Sequence, residues 1–183
     1  RLCRDWSSDV CSSDLTIAGI EDPELDGIPY YEGKRVAKNI LLDGPVPTTV
    51  VKSTQWYECA THCEAVSDDG DEVIVEDWLI QPIAADTVAD VLVEAALGQL
   101  HAPRTITGPH PLRLPELTSK LLAQQGDSRP VRTVQPAVAA LANGALLASV
   151  PAVVVGPDVD TWLRTLAPAS TNGHHELDGE EPG

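Results

Sequence analysis

The chain has 183 residues, of which 43% are hydrophobic and only 4% aromatic, and its formal net charge is −16. This length favours one domain with a core of useful size. With 12 basic against 28 acidic residues and no basic patch, the composition argues against nucleic-acid binding, because phosphates require clustered Lys and Arg. No apolar run approaches the roughly 20 residues of a membrane-spanning helix. Four irregularly spaced cysteines indicate no disulfide framework. We therefore expect a soluble, cytoplasmic protein with no membrane or nucleic-acid partner.

The beginning of the chain differs from the rest. Residues 4–15 read RDWSSDVCSSDL, a block rich in Ser and Asp that has neither a helical nor a strand period. It resembles, letter for letter, the translation of a common sequencing-adapter oligonucleotide. We expect residues 1–15 to be a non-native leader, the alternative being a genuine disordered leader. The first residue is Arg1 instead of Met, which suggests a fragment whose natural N-terminus lies upstream.

Strands and helices are predicted to alternate after this block. The first part predicts a short buried strand, a loop, a helix, a strand and a second helix, over residues 16–20, 21–29, 30–42, 46–53 and 54–66. The first helix is predicted from an i, i+1, i+4, i+5 spacing of apolar residues, at Val36, Ala37, Ile40 and Leu41. This spacing indicates that these four side chains form the apolar face of the helix.

The second part continues the alternation. Strands are predicted at 72–75, 79–83, 104–107 and 131–134, and helices from Ala85 to Gly98, from Leu114, over 137–147 and over 158–166. Such alternation is typical of βαβ units and a parallel sheet. We predict an α/β fold over residues 16–168, namely the C-terminal part of a doubly wound sheet with a small substrate-side lobe. Residues 169–183 are predicted to be a disordered acidic tail.

A tyrosine and a lysine carry the clearest chemical signal. Tyr30 and Lys34 are spaced i, i+4, which places both on one side of a helical turn. An ammonium near a phenol lowers the pKa of the phenol from about 10, because it favours the phenolate. Thr16, at a predicted strand end, offers a hydroxyl to a substrate carbonyl. These three groups suit carbonyl reduction by hydride transfer. The alternative is that Tyr30 and Tyr31 pack under a loop while Lys34 is solvated.

Five segments, in chain order, resemble a known family: LTIAGI, PYYEGKRVAKNIL, TTVVKSTQWYE, IQPIAADTVADVLVEAAL and ITGPHPLRLPEL. Together they look like the later two-thirds of an atypical short-chain dehydrogenase/reductase, closest to the NmrA-like, NAD(P)-binding oxidoreductases of high-GC bacteria. The resemblance covers about residues 15–165.

The resemblance implies a Rossmann-like fold, an NAD or NADP cofactor and a small carbonyl or alcohol substrate. It implies that Thr16, Tyr30 and Lys34 are the catalytic residues and that Lys34 also holds the nicotinamide ribose. It further implies that Ser53, Thr54 and Gln55 line the nicotinamide, that Trp56 and Tyr57 border the substrate, and that Gln81, Pro82, Ile83 and Asp86 support the start of a helix near the substrate lobe.

The chain also departs from that family. No Gly-x-x-Gly-x-x-Gly motif, whose backbone N–H groups would meet the pyrophosphate, occurs in it. Thr16 stands where Ser is commoner. We therefore expect a fragment of an NAD(P)-dependent oxidoreductase that itself binds no cofactor. The alternative is an NmrA-like regulator that binds NAD(P) without turnover. With its first strands missing, the sheet should have an unpaired edge and an uncovered helix face, and the chain should tend to aggregate.

Metal sites are not predicted. Cys59, His62 and Cys63 invite a zinc interpretation, but a structural zinc site needs four ligands and no second Cys pair follows. We expect these thiols to be small buried side chains. His174–Glu176 falls in the polar tail and is expected to be solvated. The acidic residues at 68–72 lack the spacing of a calcium loop. The oligomeric state is left open.

Overall fold

The computed structural model describes residues 12–100, 102, 104–149 and 151–166. The predicted tail at 169–183, with His174–Glu176, lies outside them, as do Cys3 and Cys11. The strands are β1 (Ser12–Ile17), β2 (Thr48–Ser53), β3 (Val66–Asp68), β4 (Val73–Glu76), β5 (Leu79–Ile80), β6 (Arg104–Thr107), β7 (Leu112–Arg113), β8 (Val131–Val134) and β9 (Val153–Val154). The helices are α1 (Pro29–Leu42), α2 (Ala85–Ala96), α3 (Leu114–Gln124), α4 (Ala139–Asn143) and α5 (Val159–Thr165).

The main sheet has four strands in the order β1-β2-β6-β9, and every pair is parallel. Ile17 of β1 is in register with Ser53 of β2, which in turn is in register with Ile106 of β6. The carboxyl ends of these strands therefore reach the same edge of the sheet. The predicted α/β class and its parallel sheet are confirmed in this form. None of the described helices is long and apolar enough to cross a membrane.

Strand β1 begins inside the segment that was assigned to a non-native leader. Residues 12–15 pair in parallel with residues 48–51 of β2. Leu15 packs against the apolar cluster under α2, and Thr16 is buried. The boundary expected between residues 15 and 16 thus falls within a paired strand.

Two smaller sheets complete the fold. Strand β4 pairs antiparallel with β3 and parallel with β8, and β5 pairs antiparallel with β7. The helix predicted over 54–66 is wrong: this segment holds only a 3-10 turn at Tyr57–Thr61 before β3. The backbone explains it, because the N–H of Ile83 donates to Gln55 and the N–H of Tyr57 donates to Ile83, which holds the chain extended there.

Helix α1 forms where it was predicted, and most of the apolar face predicted for it is exposed. Val36 and Ile40 are 58% and 67% exposed, and Ala37 is exposed beside them. The one side chain that α1 buries is Tyr31. Within the described residues β1 pairs with β2 alone, so the sheet has an open edge next to this uncovered apolar face.

Basic side chains on the inner side of α1 explain the orientation. The guanidinium of Arg35 donates to the carbonyl oxygens of Ile20 and Asp22. Lys38 lies 2.7 Å from the carboxylate of Glu21, which also contacts Lys52 of β2. These contacts hold the helix against the loop after β1 through polar groups, so its apolar stripe is turned outward.

The core has two parts. The smaller lies between the main sheet and α2 and comprises Val51, Ile83, Val88, Val91, Ala95, Leu100 and Ile106. The larger lies among the small sheets and α3, α4 and α5, with Trp78, Leu117 and Trp162 among its members. Helix α2 begins at Ala85 as predicted, and the carboxylate of Glu58 accepts the backbone N–H of Ala85.

Candidate functional site

A cavity of about 410 Å³ lies at the carboxyl ends of β1 and β2. This edge is where parallel α/β sheets usually bind ligands. Its wall is formed by the ends of both strands, the first turns of α1, the 3-10 turn after β2, and side chains from β5 and α3. The predicted site residues that line it are Thr16, Tyr30, Lys34, Ser53, Thr54, Gln55 and Trp56.

Tyr57 is the predicted site residue that does not line this cavity. Its side chain is 1% exposed, and its ring stacks on Trp162 with 4.9 Å between ring centroids. Its hydroxyl donates to the carbonyl of Pro157 over 3.1 Å. Burial, followed by the negative charges of Asp158 and Glu58, raises the pKa of Tyr57 to about 12. The structure thus places Tyr57 in the core, where it holds α5.

The start of α1 brings Tyr30 and Lys34 to the cavity. The chain leaves β1, passes Gly19 in a left-handed conformation (φ +84°) and enters α1 at Pro29. A proline suits the first helical position, where its missing N–H is not needed. Tyr30 and Lys34 then stand one turn apart on the cavity side, as their spacing predicts.

Two buried polar atoms of the wall have no hydrogen-bond partner among the described residues: Oγ1 of Thr16 and Oε1 of Gln55. Thr16 is only 3% exposed. A buried polar group without a partner costs on the order of 1–3 kcal/mol, so such groups in a folded protein call for an explanation. Both residues line the cavity, and a ligand that donates to Gln55 and hydrogen-bonds Thr16 would satisfy both once these enclosed oxygens turn toward it.

The expected effect of Lys34 on Tyr30 is not found. The ammonium of Lys34 lies 5.8 Å from the centroid of the Tyr30 ring and forms no hydrogen bond with its hydroxyl. Burial raises the pKa of Tyr30, and the negative charges of Cys59 and Glu64 raise it further. The prediction of a lowered pKa is therefore wrong for this structure. The ammonium of Lys34 lies over the ring, whereas burial and the acidic groups of Cys59 and Glu64 act on the hydroxyl.

The hydroxyls that follow β2 are engaged within the wall. Oγ of Ser53 accepts from the indole N–H of Trp56 over 3.1 Å. The hydroxyl of Thr54 donates to that of Thr107 over 3.2 Å, and Thr107 donates to the carbonyl of Gln81. These bonds fix the wall, and among the side chains of residues 53–55 they leave Oε1 of Gln55 without a hydrogen-bond partner in the described part of the chain.

The segment predicted to support a helix start does connect the strand ends. The side-chain amide of Gln81 donates to the carbonyl of Gly108 over 3.0 Å. Gly108 itself lies so close to Pro82 that an added Cβ would stand 1.8 Å from the carbonyl oxygen of Pro82. Only glycine allows this approach, which brings the end of β6 against the segment before α2.

Several wall residues were not predicted as part of the site. Cys59 and Cys63, which we expected to be small buried side chains and not metal ligands, are half-buried and line the cavity, and burial raises the pKa of both thiols. The i, i+4 spacing of the two cysteines, shortly after Trp56, is the sequence pattern that could have placed them at the site. Glu64 lies just before β3, and Trp78 lies between β4 and β5. The strand pairs β3–β4 and β5–β7 bring both side chains to the wall, and neither pairing can be read from one segment alone. Among the described residues, no group of three or more His, Cys, Asp or Glu side chains could hold a metal ion.

A second cavity, of about 310 Å³, adjoins the first. The two share the side chains of Tyr31, Glu64 and Trp78. The rest of the second cavity is formed by Ile28, Glu76, Ala137, Val138 and Leu141.

No protein-family model matches the chain, and no curated protein shows significant similarity to it. The resemblance to short-chain dehydrogenases therefore stays a prediction from the sequence.

Proposed function

We propose that this chain carries the reacting end of an NAD(P)-dependent oxidoreductase that interconverts a small carbonyl compound and its alcohol. The observation that carries the proposal is the buried, unpartnered hydroxyl of Thr16, which shares one cavity with Tyr30 and Lys34 at the carboxyl end of a parallel sheet. A phenol, an ammonium and a free hydroxyl are the groups that such a reaction requires around the carbonyl.

The residues fit the nicotinamide end of the cofactor. The buried oxygen of Gln55 is an acceptor for an amide N–H, and the aromatic ring of Trp56 lines the same wall. The ammonium of Lys34 makes no hydrogen bond or ion pair within the described part of the chain, so it is available to ribose hydroxyls. When bound, the reduced nicotinamide supplies a hydride to the carbonyl carbon.

Each proposed catalytic residue has one task. Thr16 donates a hydrogen bond to the carbonyl oxygen and holds it toward the cavity. Tyr30 gives its phenolic proton to that oxygen as negative charge develops on it. Lys34 would hold the nicotinamide ribose through its ammonium, which makes no hydrogen bond or ion pair within the described part of the chain.

A specific observation favours a second candidate, a regulator that binds NAD(P) without turnover. The pKa of Tyr30 is raised by burial, Cys59 and Glu64, whereas a proton donor near neutral pH profits from a lowered pKa. In that case the same wall would hold the nicotinamide and Tyr30 would keep its proton.

Reduced nicotinamide mononucleotide tests the proposal, because this donor needs no pyrophosphate loop. We expect the 183-residue chain to accelerate its oxidation by benzaldehyde, followed as loss of absorbance at 340 nm. Tyr30→Phe should lower the rate by about 100-fold or more, the usual share of a positioned acid. Tyr57→Phe is the matched control, since its ring lies outside the cavity.

The outcomes separate the candidates. Binding of the mononucleotide without acceleration, for a panel of aldehydes, would support the regulator. Acceleration that survives Tyr30→Phe would contradict the role of Tyr30. Absence of both binding and acceleration would contradict both candidates.

A further inference from the structure

The wall of the first cavity has a polar part and an apolar part. The polar part lies at the ends of β1 and β2, where Thr16 and Gln55 carry the two buried oxygens without a partner among the described residues. The apolar part, called the apolar wall below, consists of Ile80 of β5, Leu114 at the start of α3, and Trp78. The carbonyl of Trp78 accepts the N–H of Leu114 over 2.9 Å, which joins these segments. A bound molecule thus meets hydrogen-bonding oxygens from the strand ends and a hydrocarbon surface from β5 and α3.

The backbone holds the apolar wall in place. Ile80 is in antiparallel register with Leu112 of β7, and it forms a β-bridge with Leu146. The indole N–H of Trp78 donates to the carboxylate of Glu76 over 2.7 Å, so the ring has no free donor to offer to a ligand. Ile80, Leu114 and Trp78 are 1%, 3% and 8% exposed. The apolar wall is therefore formed before any ligand binds.

Titratable groups in the rest of the wall are neutral. Tyr31 is buried, and Cys59 and Cys63 are half-buried. Burial is the first cause that raises the pKa of the Tyr31 hydroxyl and of both thiols, so all three keep their protons near neutral pH. These groups offer no charge to pair with a charged substituent of a substrate.

The described charged side chains that line this cavity are Lys34 and Glu64, one of each sign. Glu64 is exposed and Lys34 is half-buried, so water still reaches both charges. Their opposite signs favour neither an anion nor a cation. A charged group placed against the apolar wall would lose its water without gaining a partner, which is costly, whereas a hydrocarbon group placed there gains free energy.

The volume of the cavity limits the size of the substrate. In proteins, an apolar cavity of about 150 Å³ holds one benzene ring. The cavity of about 410 Å³ would therefore hold the nicotinamide ring together with one further ring that carries a short alkyl group. A substrate with a larger body would extend out of it.

We infer that the substrate is an uncharged, largely apolar carbonyl or alcohol compound with a body of about one ring, which lies against Ile80, Leu114 and Trp78. The inference rests on the proposed function for the identity of the reacting group. The reacting oxygen lies at Thr16, and the hydrocarbon body gains from leaving water in proportion to its apolar area. Ile80 and Leu114 are then the residues that determine which bodies fit.

Three alcohols of nearly equal shape test the inference. 4-Isopropylbenzyl alcohol, 4-(hydroxymethyl)benzoate and 4-(hydroxymethyl)benzamidine carry a neutral, an anionic and a cationic group of the same size at the same position. Their binding to the 183-residue chain can be measured by isothermal titration. We expect the isopropyl compound to bind at least about tenfold more tightly than either charged one. A charged compound that binds as tightly as the isopropyl compound, or binding of none of the three, would overturn the inference.

Variants show where the hydrocarbon body lies. Leu114→Ala makes space at the apolar wall, so it should raise the affinity for 4-cyclohexylbenzyl alcohol relative to 4-isopropylbenzyl alcohol by at least about threefold. Leu117→Ala is the matched control, because Leu117 is buried in the same helix and lines neither of the two cavities. Ile80→Val is a smaller change that should shift the ratio in the same direction, and it serves where Leu114→Ala does not fold. A ratio that neither Leu114→Ala nor Ile80→Val changes, or that Leu117→Ala changes equally, would contradict the inference.

The two proposals fail separately. If 4-isopropylbenzyl alcohol binds preferentially but 4-isopropylbenzaldehyde is not reduced by reduced nicotinamide mononucleotide, the oxidoreductase proposal fails and the apolar binding site stands. If 4-carboxybenzaldehyde is reduced as efficiently as 4-isopropylbenzaldehyde, the apolar binding site fails and the oxidoreductase proposal stands.

Discussion

The ammonium of Lys34 lies 5.8 Å from the centroid of the Tyr30 ring, over its face. A cation in this place makes a cation–π contact with the ring and does not bond the hydroxyl, whose pKa therefore depends on other groups. Those neighbours are Cys59 and Glu64, whose negative charges add to burial in raising the pKa of Tyr30. Burial is thus the first cause of the raised pKa of Tyr30, and the acidic groups of Cys59 and Glu64 add to it.

Glu64→Gln should lower the pKa of Tyr30. Negative charge beside a phenol opposes its ionisation, so removing the carboxylate should lower the pKa of Tyr30 and let the phenolate form at lower pH. A spectrophotometric titration of the phenolate band, with Tyr30→Phe to assign it, measures this. Glu116→Gln is the control. An unchanged or higher pKa of Tyr30 in the Glu64 variant would contradict the geometry.

Thr16→Val should change stability and activity in opposite directions. Valine keeps the shape of Thr16 and suits a strand, but it removes a buried hydroxyl that has no partner among the described residues. We expect the free energy of unfolding to rise by about 1 kcal/mol. The rate with reduced nicotinamide mononucleotide should fall at least about tenfold, since the carbonyl loses its hydrogen bond. Thermal unfolding and initial rates measure the two effects. Loss of stability without loss of rate would show that the hydroxyl is structural.

Gly108→Ala should destabilise the protein strongly. Its new Cβ would stand 1.8 Å from the carbonyl oxygen of Pro82, a backbone atom that cannot yield without moving the strand end. We expect a loss of about 3 kcal/mol in urea unfolding. Gly33→Ala is the matched control: nothing lies within 4 Å of its Cβ position, and it stands inside α1. There alanine should add about 0.5–1 kcal/mol. Similar effects of the two substitutions would contradict the close approach at Gly108.

Self-association should depend on the outward face of α1. Val36 and Ile40 are exposed beside the open edge of β1, and such surfaces promote association. We expect Ile40→Lys to shift the chain toward monomer in sedimentation velocity at equal concentration. Leu97→Lys is the matched control, because Leu97 is equally exposed (68% against 67%) at the end of α2. If both variants act alike, a general gain of charge is the cause and the face of α1 is not an association surface.

The elements with strong local patterns were predicted well. α2 begins at Ala85, β6 spans Arg104–Thr107 and β8 spans Val131–Val134, as their apolar spacing and their flanking turns predict. β9 and β3 were missed because a strand of two or three residues owes its existence to a distant partner. The pairing of Ile106 with Val153 could not be read from either segment alone.

The site was predicted where one segment supplies several of its members. Tyr30 and Lys34 share one helical turn, and residues 53–56 lie at the end of one strand. Within each group, the sequence spacing alone predicts that the residues lie close together. Tyr57 was predicted at the same wall, but its ring stacks on Trp162 in the core. The direction of the Tyr57 side chain depends on a contact far along the chain, because its hydroxyl donates to the carbonyl of Pro157, a hundred positions later and just before α5. The outward turn of α1 depends on the carbonyl acceptors that Arg35 finds at Ile20 and Asp22, which the helix segment alone does not reveal.

The carboxylate of Glu58 accepts the N–H of Ala85 and so ties the turn that carries Cys59 to the first residue of α2. Helix α2 packs on the far side of the sheet core and does not itself line the cavity. Any axial slide of that helix would pull this turn with it. A helix that contributes no side chain to the cavity is thus coupled, through one carboxylate, to the turn that forms part of the cavity wall.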